Sequence, residues 1–508
     1  VNLAEVCDVL QKDGLLKEVI INDNWSFEMP KEYAELELKD VTYDSRQVKA
    51  GSFFFCKGLN FKKDYLDSAI QNGCLAYMTE QVIENLTDTQ KKIPQIIVTD
   101  VQKGMALVGR FFYGNPQDEL KVIGFTGTKG KSTSVYFCRH LLQESVGKKV
   151  AQTSSIDNLL DGVHPFEASL TTPESLDLFK MMRQAADNKM KYWIMEVSSQ
   201  AYKKSRVYGL TFDVGVFLNI SPDHISPVEH PTFEDYLYCK SKLIENAKTI
   251  VLNKELPVFD LLKQKAEKFG TKVVTFGSQE TQADFAFAGQ KHGHFSLEAG
   301  SLSGEYRIMI PGAFNYANAS AALAAASQVT SLTKDQVKDA FLKTKVPGRM
   351  ELFTNAQGIA CCVDYAHNYL SLTESFKFAK HDYPGKLIVV IGAAGGKAES
   401  RRKDIGLCLS KYADTAILTS EDNFFEDPYH ITAAIKEHIT NDQVEVYEIA
   451  DRTKAIKKAF DLAQPGDLIF LAGKGREKFM HEGGTNIDYE GDYDLALQNL
   501  GLDKNEVE

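Results

Sequence analysis

The sequence predicts an α/β protein of three domains: a small N-terminal α/β domain over residues 1–118, a central domain with a P-loop-type parallel sheet over 119–346, and a C-terminal Rossmann-like domain over 347–508. Three observations lead there. Val122-Ile123 enters a glycine-rich turn ending in Gly130-Lys131-Ser132, and Val135, Tyr136, Phe137 and Leu141 follow at near-helical spacing, which reads as strand, loop and helix. From residue 387 onward, apolar runs alternate with helical patterns, as in a doubly wound parallel sheet. The periodic pattern stops at Asn115-Pro-Gln-Asp118, a plausible linker, and the third region opens with Pro347-Gly348-Arg349.

In the first region, 52–56 and 95–98 read as strands and 65–76 as a helix. Asp44-Ser45-Arg46 is a turn rich in hydrogen-bonding groups, and such tripeptides more often cap or turn a chain than bind a ligand. The central loop has glycines at 124, 127 and 130, with Phe125 where the general phosphate-loop pattern has glycine. Its glycines let backbone N–H groups converge on a phosphate, and the helix N-terminus adds partial positive charge. Lys131 would reach the β- and γ-phosphates, and the Ser132 hydroxyl would ligate Mg²⁺.

Further along, the buried-looking strand 192–195 ends in Glu196, a candidate magnesium ligand because ligands collect at that edge of such a sheet. The strand 212–219 leads to Ser221-Pro-Asp223-His224, and a histidine there is more often a loop hydrogen-bonder than a ligand. Lys240 falls in a helical pattern where composition alone places lysines at the surface. Residues 273–311 alternate polar and apolar positions, suggesting a small antiparallel extension, and an alanine-rich helix is expected to follow Asn315 and Asn318. In the third region, strands at 387–391, 415–418 and 467–471 alternate with helices such as 429–439 and 452–463. Their loops, 392–396, 420–427 and 472–475, form a second ligand edge.

Composition narrows the class. With 508 residues, 44% hydrophobic and 25% charged, the chain is long enough for several cores and ordinary for a globular protein. It has no run of about 18 apolar residues and no basic-then-apolar start, so neither membrane insertion nor a signal peptide is expected, and the cytoplasm is the expected location. Eight cysteines without C-x-x-C or zinc-like spacing read as reduced thiols. A net charge of −11 argues against a nucleic-acid partner.

The series Gly127-Thr-Lys-Gly-Lys-Ser132, Thr171-Thr-Pro-Glu174, Glu196-Val-Ser-Ser199, Asp223-His224, Gly312-Ala-Phe-Asn315-Tyr-Ala-Asn318, Pro347-Gly-Arg-Met-Glu351, Asp364-Tyr-Ala-His367 and Gly473-Lys-Gly475 resembles the Mur ligases of peptidoglycan synthesis. Order and spacing match from residue 40 to the end. Within the family the similarity is greatest to the branch that adds the third residue, onto UDP-N-acetylmuramoyl-L-alanyl-D-glutamate. The resemblance implies one domain for the uridine end of that substrate, a central ATPase domain, and a C-terminal dinucleotide-fold domain for the incoming amino acid. It also implies a reaction: ATP phosphorylates the D-glutamate side-chain carboxylate, and an amine attacks the acyl phosphate.

By the same resemblance, ATP is held by Gly127, Thr128, Lys129, Gly130, Lys131, Ser132 and Thr133. Asn315 and Asn318 lie near the adenine, Arg349 at the phosphates, Asp364 at the ribose, and His367 beside that pocket. Ser132 and Glu196 serve one Mg²⁺, His224 a second, and Lys240 helps hold metal as a carbamate. Ser45, Thr171, Thr172, Ser198 and Arg206 meet the nucleotide-sugar substrate. A monomer is expected. Asn368-Tyr369 stands where many relatives carry Thr-Pro, a departure from the family pattern in that loop.

Relatives that add meso-diaminopimelate show Asp-Asn-Pro-Arg, whose Arg pairs with the extra carboxylate. Here Glu421-Asp-Asn-Phe424 puts Phe at that place. Glu421, Asp422, Glu426, Asp427 and Glu477 supply negative potential for an ammonium tip, so L-lysine is the expected substrate, with Arg402 on its α-carboxylate. The same loop read blandly is a solvated acidic turn. Competing readings are the same ligase acting with diaminopimelate or another diamino acid, a folylpolyglutamate-synthase-like ligase, against which the Asp44-Ser45-Arg46 domain argues, and a regulatory P-loop ATPase or GTPase, for which no guanine signature is found.

Overall fold

The computed structural model describes residues 1–58, 61–222, 229–310, 312–396 and 399–504, so His224 lies outside the described residues. Strands β1 (Leu16–Ile21), β2 (Asn24–Ser26), β3 (Asp40–Thr42), β4 (Ser52–Phe55), β5 (Ala76–Thr79) and β6 (Gln95–Val98) form a six-stranded sheet ordered β2-β1-β6-β5-β4-β3. β3 through β6 pair in parallel and β1 joins β6 antiparallel. Alternation sends Phe53, Phe55 and Ile96 into one core and Phe54 and Tyr77 into the other, which is why β4 and β5 read as unbroken apolar runs. The helix expected over 65–76 occupies Lys63–Gln71 instead. Gly73 takes φ +93°, the chain turns back, and Ala76 opens β5.

The central sheet has eleven strands: β7 (Lys121–Thr126), β8 (Val150–Thr153), β9 (Asp157–Leu159), β10 (Pro165–Glu167), β11 (Tyr192–Glu196), β12 (Phe212–Phe217), β13 (Ala247–Asn253), β14 (Lys272–Ser278), β15 (Phe285–Gly289), β16 (His294–Glu298) and β17 (Gly304–Arg307). Their order is β10-β9-β8-β11-β7-β12-β13-β14-β15-β16-β17. β7 is flanked in parallel by β11 and β12. The expected antiparallel extension is found in β15–β17, though β14 pairs with β15 in parallel, so the extension continues the main sheet. The alanine-rich helix runs Ala313–Ala326 and contains Asn315 and Asn318 in its first turns, rather than following them. Small side chains let this helix be buried almost all round.

The third sheet comprises β18 (Glu351–Thr354), β19 (Ala360–Asp364), β20 (Leu387–Ile391), β21 (Thr415–Leu418), β22 (Glu445–Glu448) and β23 (Leu468–Ala472), ordered β18-β19-β23-β20-β21-β22. All neighbours are parallel except β18, an antiparallel edge. By contact the chain divides into two compact units, residues 1–131 with 146–274 and 327–330, and residues 132–145 with 275–326 and 331–508.

All eight cysteines are free and buried, and burial raises every thiol pKa, Cys7 and Cys74 to about 12. Among the described residues no helix is long and apolar enough to cross a membrane.

Candidate active site

The phosphate loop leaves β7 at Thr126 and enters the helix Lys131–Val146. A Cβ at Gly127 would lie 3.0 Å from Leu218 Cβ and 3.3 Å from Asn219 N, so glycine lets the loop lie against the end of β12. Asn219 braces it from there: its Oδ1 accepts from Lys129 N (2.8 Å) and its Nδ2 donates to Lys129 O (3.0 Å). The signal for Asn219 in the sequence is its place just past the end of an apolar run, with no motif around it. Lys131 Nζ folds back to donate to Gly127 O at 2.9 Å and Thr128 O at 3.3 Å. Ser132 and Thr133 are buried in the first turn of the helix.

Register puts Glu196 opposite Phe125 at the loop end of the sheet. Its carboxylate is buried, and Oε1 accepts from Ser155 N (2.7 Å) and Ser155 Oγ (3.2 Å). Lys240 departs from the surface placement that composition suggests: it is 2% exposed. The helix Phe233–Glu245, capped by Thr232, turns it inward to donate from Nζ to Gly127 O at 2.9 Å, with the nitrogen 4.7 Å from the Tyr236 ring. Two lysine side chains thus share one carbonyl.

Thr172, Ser198 and Arg206 meet beside Glu196. Thr172 Oγ1 donates to Glu196 O (2.9 Å) and accepts from Ser198 N (3.0 Å), while Arg206 Nη1 donates to Thr172 O (3.2 Å). Arg206 also grips Glu174 Oε1 at 3.0 and 2.7 Å, and Lys57 Nζ reaches Glu174 Oε2 at 2.5 Å. Burial works against ionising Glu174, yet Lys57 and Arg206 hold its carboxyl below the ordinary value. Lys57 carried no sequence signal, because its partner is 117 residues away. Thr171 is half-buried next to this group. Ser45 lies in the short turn Ser45–Gln47, where its carbonyl accepts from Asn72 Nδ2 at 3.4 Å.

In the second unit, Asn318 Nδ2 donates to Asn315 Oδ1 at 3.1 Å, and both are buried. Arg349 lies over the Tyr365 ring at 4.8 Å. Asp364 has both oxygens engaged, Oδ2 by Met350 N (2.7 Å) and Oδ1 by Ala366 N (2.6 Å); burial raises its pKa against the pull of Arg349. His367 lines a small cavity with Gly392, Arg401 and Glu421.

The acidic loop is more balanced than its charge count suggested. Lys474, 1% exposed, sits between Asp422 (3.0 Å) and Glu477 (2.6 Å), and Arg402 makes a two-pronged pair with Glu426 at 2.8 and 2.6 Å. Carboxylates this close to a core need cations beside them. Arg402 foremost pulls Glu426 down to about 2. Glu421 is different: its Oε2 is buried with no hydrogen-bond partner among the described residues, and burial, outweighing Arg452 and Lys474, raises its carboxyl to about 7. Phe424 holds a left-handed φ of +52° and stacks on His481, ring centroids 4.9 Å apart.

Residues 125–326 match the model of the Mur ligase middle domain, and 348–475 that of the Mur ligase glutamate ligase domain. The chain is 44% identical to the UDP-N-acetylmuramoyl-L-alanyl-D-glutamate–L-lysine ligase of Enterococcus faecalis (strain ATCC 700802 / V583), covering 98% of each chain. It is 43% identical to the enzyme of the same name from Streptococcus pyogenes serotype M4, covering 98% of this chain and all of that one. A solved UDP-N-acetylmuramoyl-L-alanyl-D-glutamate–2,6-diaminopimelate ligase superposes with a TM-score of 0.68 at 26% identity, over 93% of this chain and 97% of the other. With two domain models matched in order and such identity along nearly the whole of both chains, the chain belongs to the Mur ligase family.

Proposed function

We propose that the protein is an ATP-dependent ligase that joins L-lysine to UDP-N-acetylmuramoyl-L-alanyl-D-glutamate, acting in the cytoplasm in the synthesis of peptidoglycan precursor. The observation that carries this reading is 44% identity, end to end, with an enzyme named for that reaction. In the reaction, a D-glutamate carboxylate oxygen attacks the γ-phosphorus of ATP and ADP leaves. The lysine amine then attacks the acyl carbon, phosphate departs, and the nitrogen gives up a proton. Residues 1–118 receive the uridine end, 119–346 ATP, and 347–508 lysine.

The side chains suit those steps. Residues 127–133 present backbone N–H groups and a helix start to the phosphates. Lys131, whose Nζ already spans the loop, exchanges carbonyl partners for the oxygens of the transferring group. Asn315, Asn318, Arg349, Asp364 and His367 are assigned to the nucleotide, Asp364 chiefly by pinning the backbone at Met350. Ser45, Thr171, Thr172, Ser198 and Arg206 are assigned to the nucleotide-sugar substrate.

The hydroxyl of Ser132 and the carboxylate of Glu196 are hard oxygen donors of the kind Mg²⁺ takes, with His224 assigned to a second ion. Bound there, Mg²⁺ would offset the repulsion between carboxylate and γ-phosphate. Lys240 fits that site once its ammonium gives up one proton and the free amine adds to CO₂: an N–C bond forms, a second proton leaves, and the cation that shares a carbonyl with Lys131 becomes an anion that both the metal and Lys131 would favour.

For the amino acid, Arg402 is assigned to the α-carboxylate, displacing or sharing with Glu426. Glu421, Asp422 and Glu477 are assigned to the ammonium end, and Glu421 Oε2, which has no hydrogen bond among the described residues, is the acceptor best placed to gain one. Phe424 in place of Arg supports lysine over diaminopimelate. The test supplies purified protein with ATP, Mg²⁺ and the muramyl dipeptide: ADP should be released only when an amino acid is also present, and lysine should outcompete diaminopimelate and ornithine. No new amide with any amino acid tried would end the proposal.

A further inference from the structure

We propose that His230 is a positioning residue for this reaction, tethering the helix that carries Lys240 to the turn that follows Glu196; the inference rests on the carbamate reading of Lys240. His230 is fully buried two residues before the helix cap Thr232. Its Nδ1 lies 2.7 Å from Asp235 Oδ2, in the first turn of the helix Phe233–Glu245, and its Nε2 lies 2.8 Å from Ser199 Oγ, three residues past Glu196. A carboxylate only accepts, so Nδ1 carries the hydrogen toward Asp235, and in the neutral ring Nε2 is left to accept from the Ser199 hydroxyl. Lys203, at the far end of the short helix Ser199–Lys203, also donates to Asp235 at 3.2 Å, so the two helices are tied at two points.

The order Ser–His–Asp is that of a nucleophilic triad, but Ser199 is 4% exposed, and a hydroxyl closed off from substrate makes a tether and not a nucleophile. The tether reaches the chemistry through one ring. The His230 imidazole packs edge-on against Tyr236 at 5.2 Å. Tyr236 in turn lies beneath Lys240 Nζ and sets its hydroxyl 3.1 Å from Thr128 Oγ1 in the phosphate loop. Losing the imidazole frees Tyr236 to shift, and with it the distance from Lys240 to Gly127.

Two variants, His230→Ala and Ser199→Ala, test the tether, the second keeping the test alive if the first fails to fold. The readouts are the carbamate signal of Lys240 in resting enzyme loaded with ¹³C-bicarbonate, followed by NMR, the Mg²⁺ concentration for half-maximal rate, and the KM for lysine. Both variants should lose carbamate signal and need about tenfold more Mg²⁺, as when a residue orienting a metal ligand is removed. The lysine KM should stay put, and His230→Gln, which can still meet Ser199, should recover part of the signal. Unchanged carbamate and Mg²⁺ dependence in both variants, or a lysine KM that rises alongside, would overturn the inference. If wild-type enzyme gives no carbamate signal, the reading of Lys240 fails first and the tether falls with it.

Discussion

A lysine with 2% exposure, aimed at the same carbonyl as the phosphate-loop lysine, is the group on which the carbamate reading turns. Lys240→Ala is therefore expected to lose about a hundredfold or more in rate of ADP release, the scale seen when one polar group of a reacting site is removed. Acetate or formate should restore part of it by standing in for the carbamate oxygens; activity near wild type would remove the carbamate assignment. Nothing in the helical pattern around Lys240 distinguishes an inward lysine from a solvated one, so only the family motif singled it out.

Glu421 gives a second prediction at this scale. Its carboxyl, ordinarily at 4.5, is raised to about 7 by burial, so the folded state keeps a proton there that the unfolded chain releases. The stability this group contributes is full below 4.5 and is lost as pH rises through about 7. An incoming ammonium favours the ionised form, so the KM for lysine should fall as pH rises across about 6 to 8 and stay flat in Glu421→Gln. A flat wild-type profile would remove Glu421 from the lysine site.

At the level of strands and helices, the strands at 52–55, 95–98, 192–196, 387–391 and 415–418 were legible because each is buried on both faces and so reads as one apolar run. β18 and β22 were missed because edge strands carry polar residues, as Glu445 and Glu448 do. Strand order was out of reach, since β23 enters between β19 and β20 from far along the chain. The helices Arg452–Leu462 and Asp492–Leu500 are joined by a fully buried pair, Arg452 to Asp492 at 2.8 and 2.6 Å, and Arg452 Nη2 also donates to Ala472 O at 2.8 Å beside the acidic loop. Asp492→Ala would strand that guanidinium and should cost about 3–5 kcal/mol in urea unfolding. A loss under about 1 kcal/mol, the size of an exposed pair, would contradict the burial.

Across the molecule, the motifs assigned to the chemistry were readable because each is local, whereas the cations that balance them are not. Lys474 meets Asp422 from 52 residues away, and Lys57 meets Glu174 from 117. Phe424→Arg should raise use of diaminopimelate relative to lysine by about tenfold in a competition assay, because the added guanidinium rewards a distal carboxylate. No change in the ratio would locate the selection elsewhere.

The eight sequestered, poorly ionised thiols have a practical corollary. Maleimide dyes attack thiolate at the surface, so the native protein should stay almost unlabelled at neutral pH. A cysteine installed at one exposed site would then take up a fluorophore by itself, and each half of the catalytic cycle could be followed by spectroscopy without first stripping out the protein's own sulfhydryls.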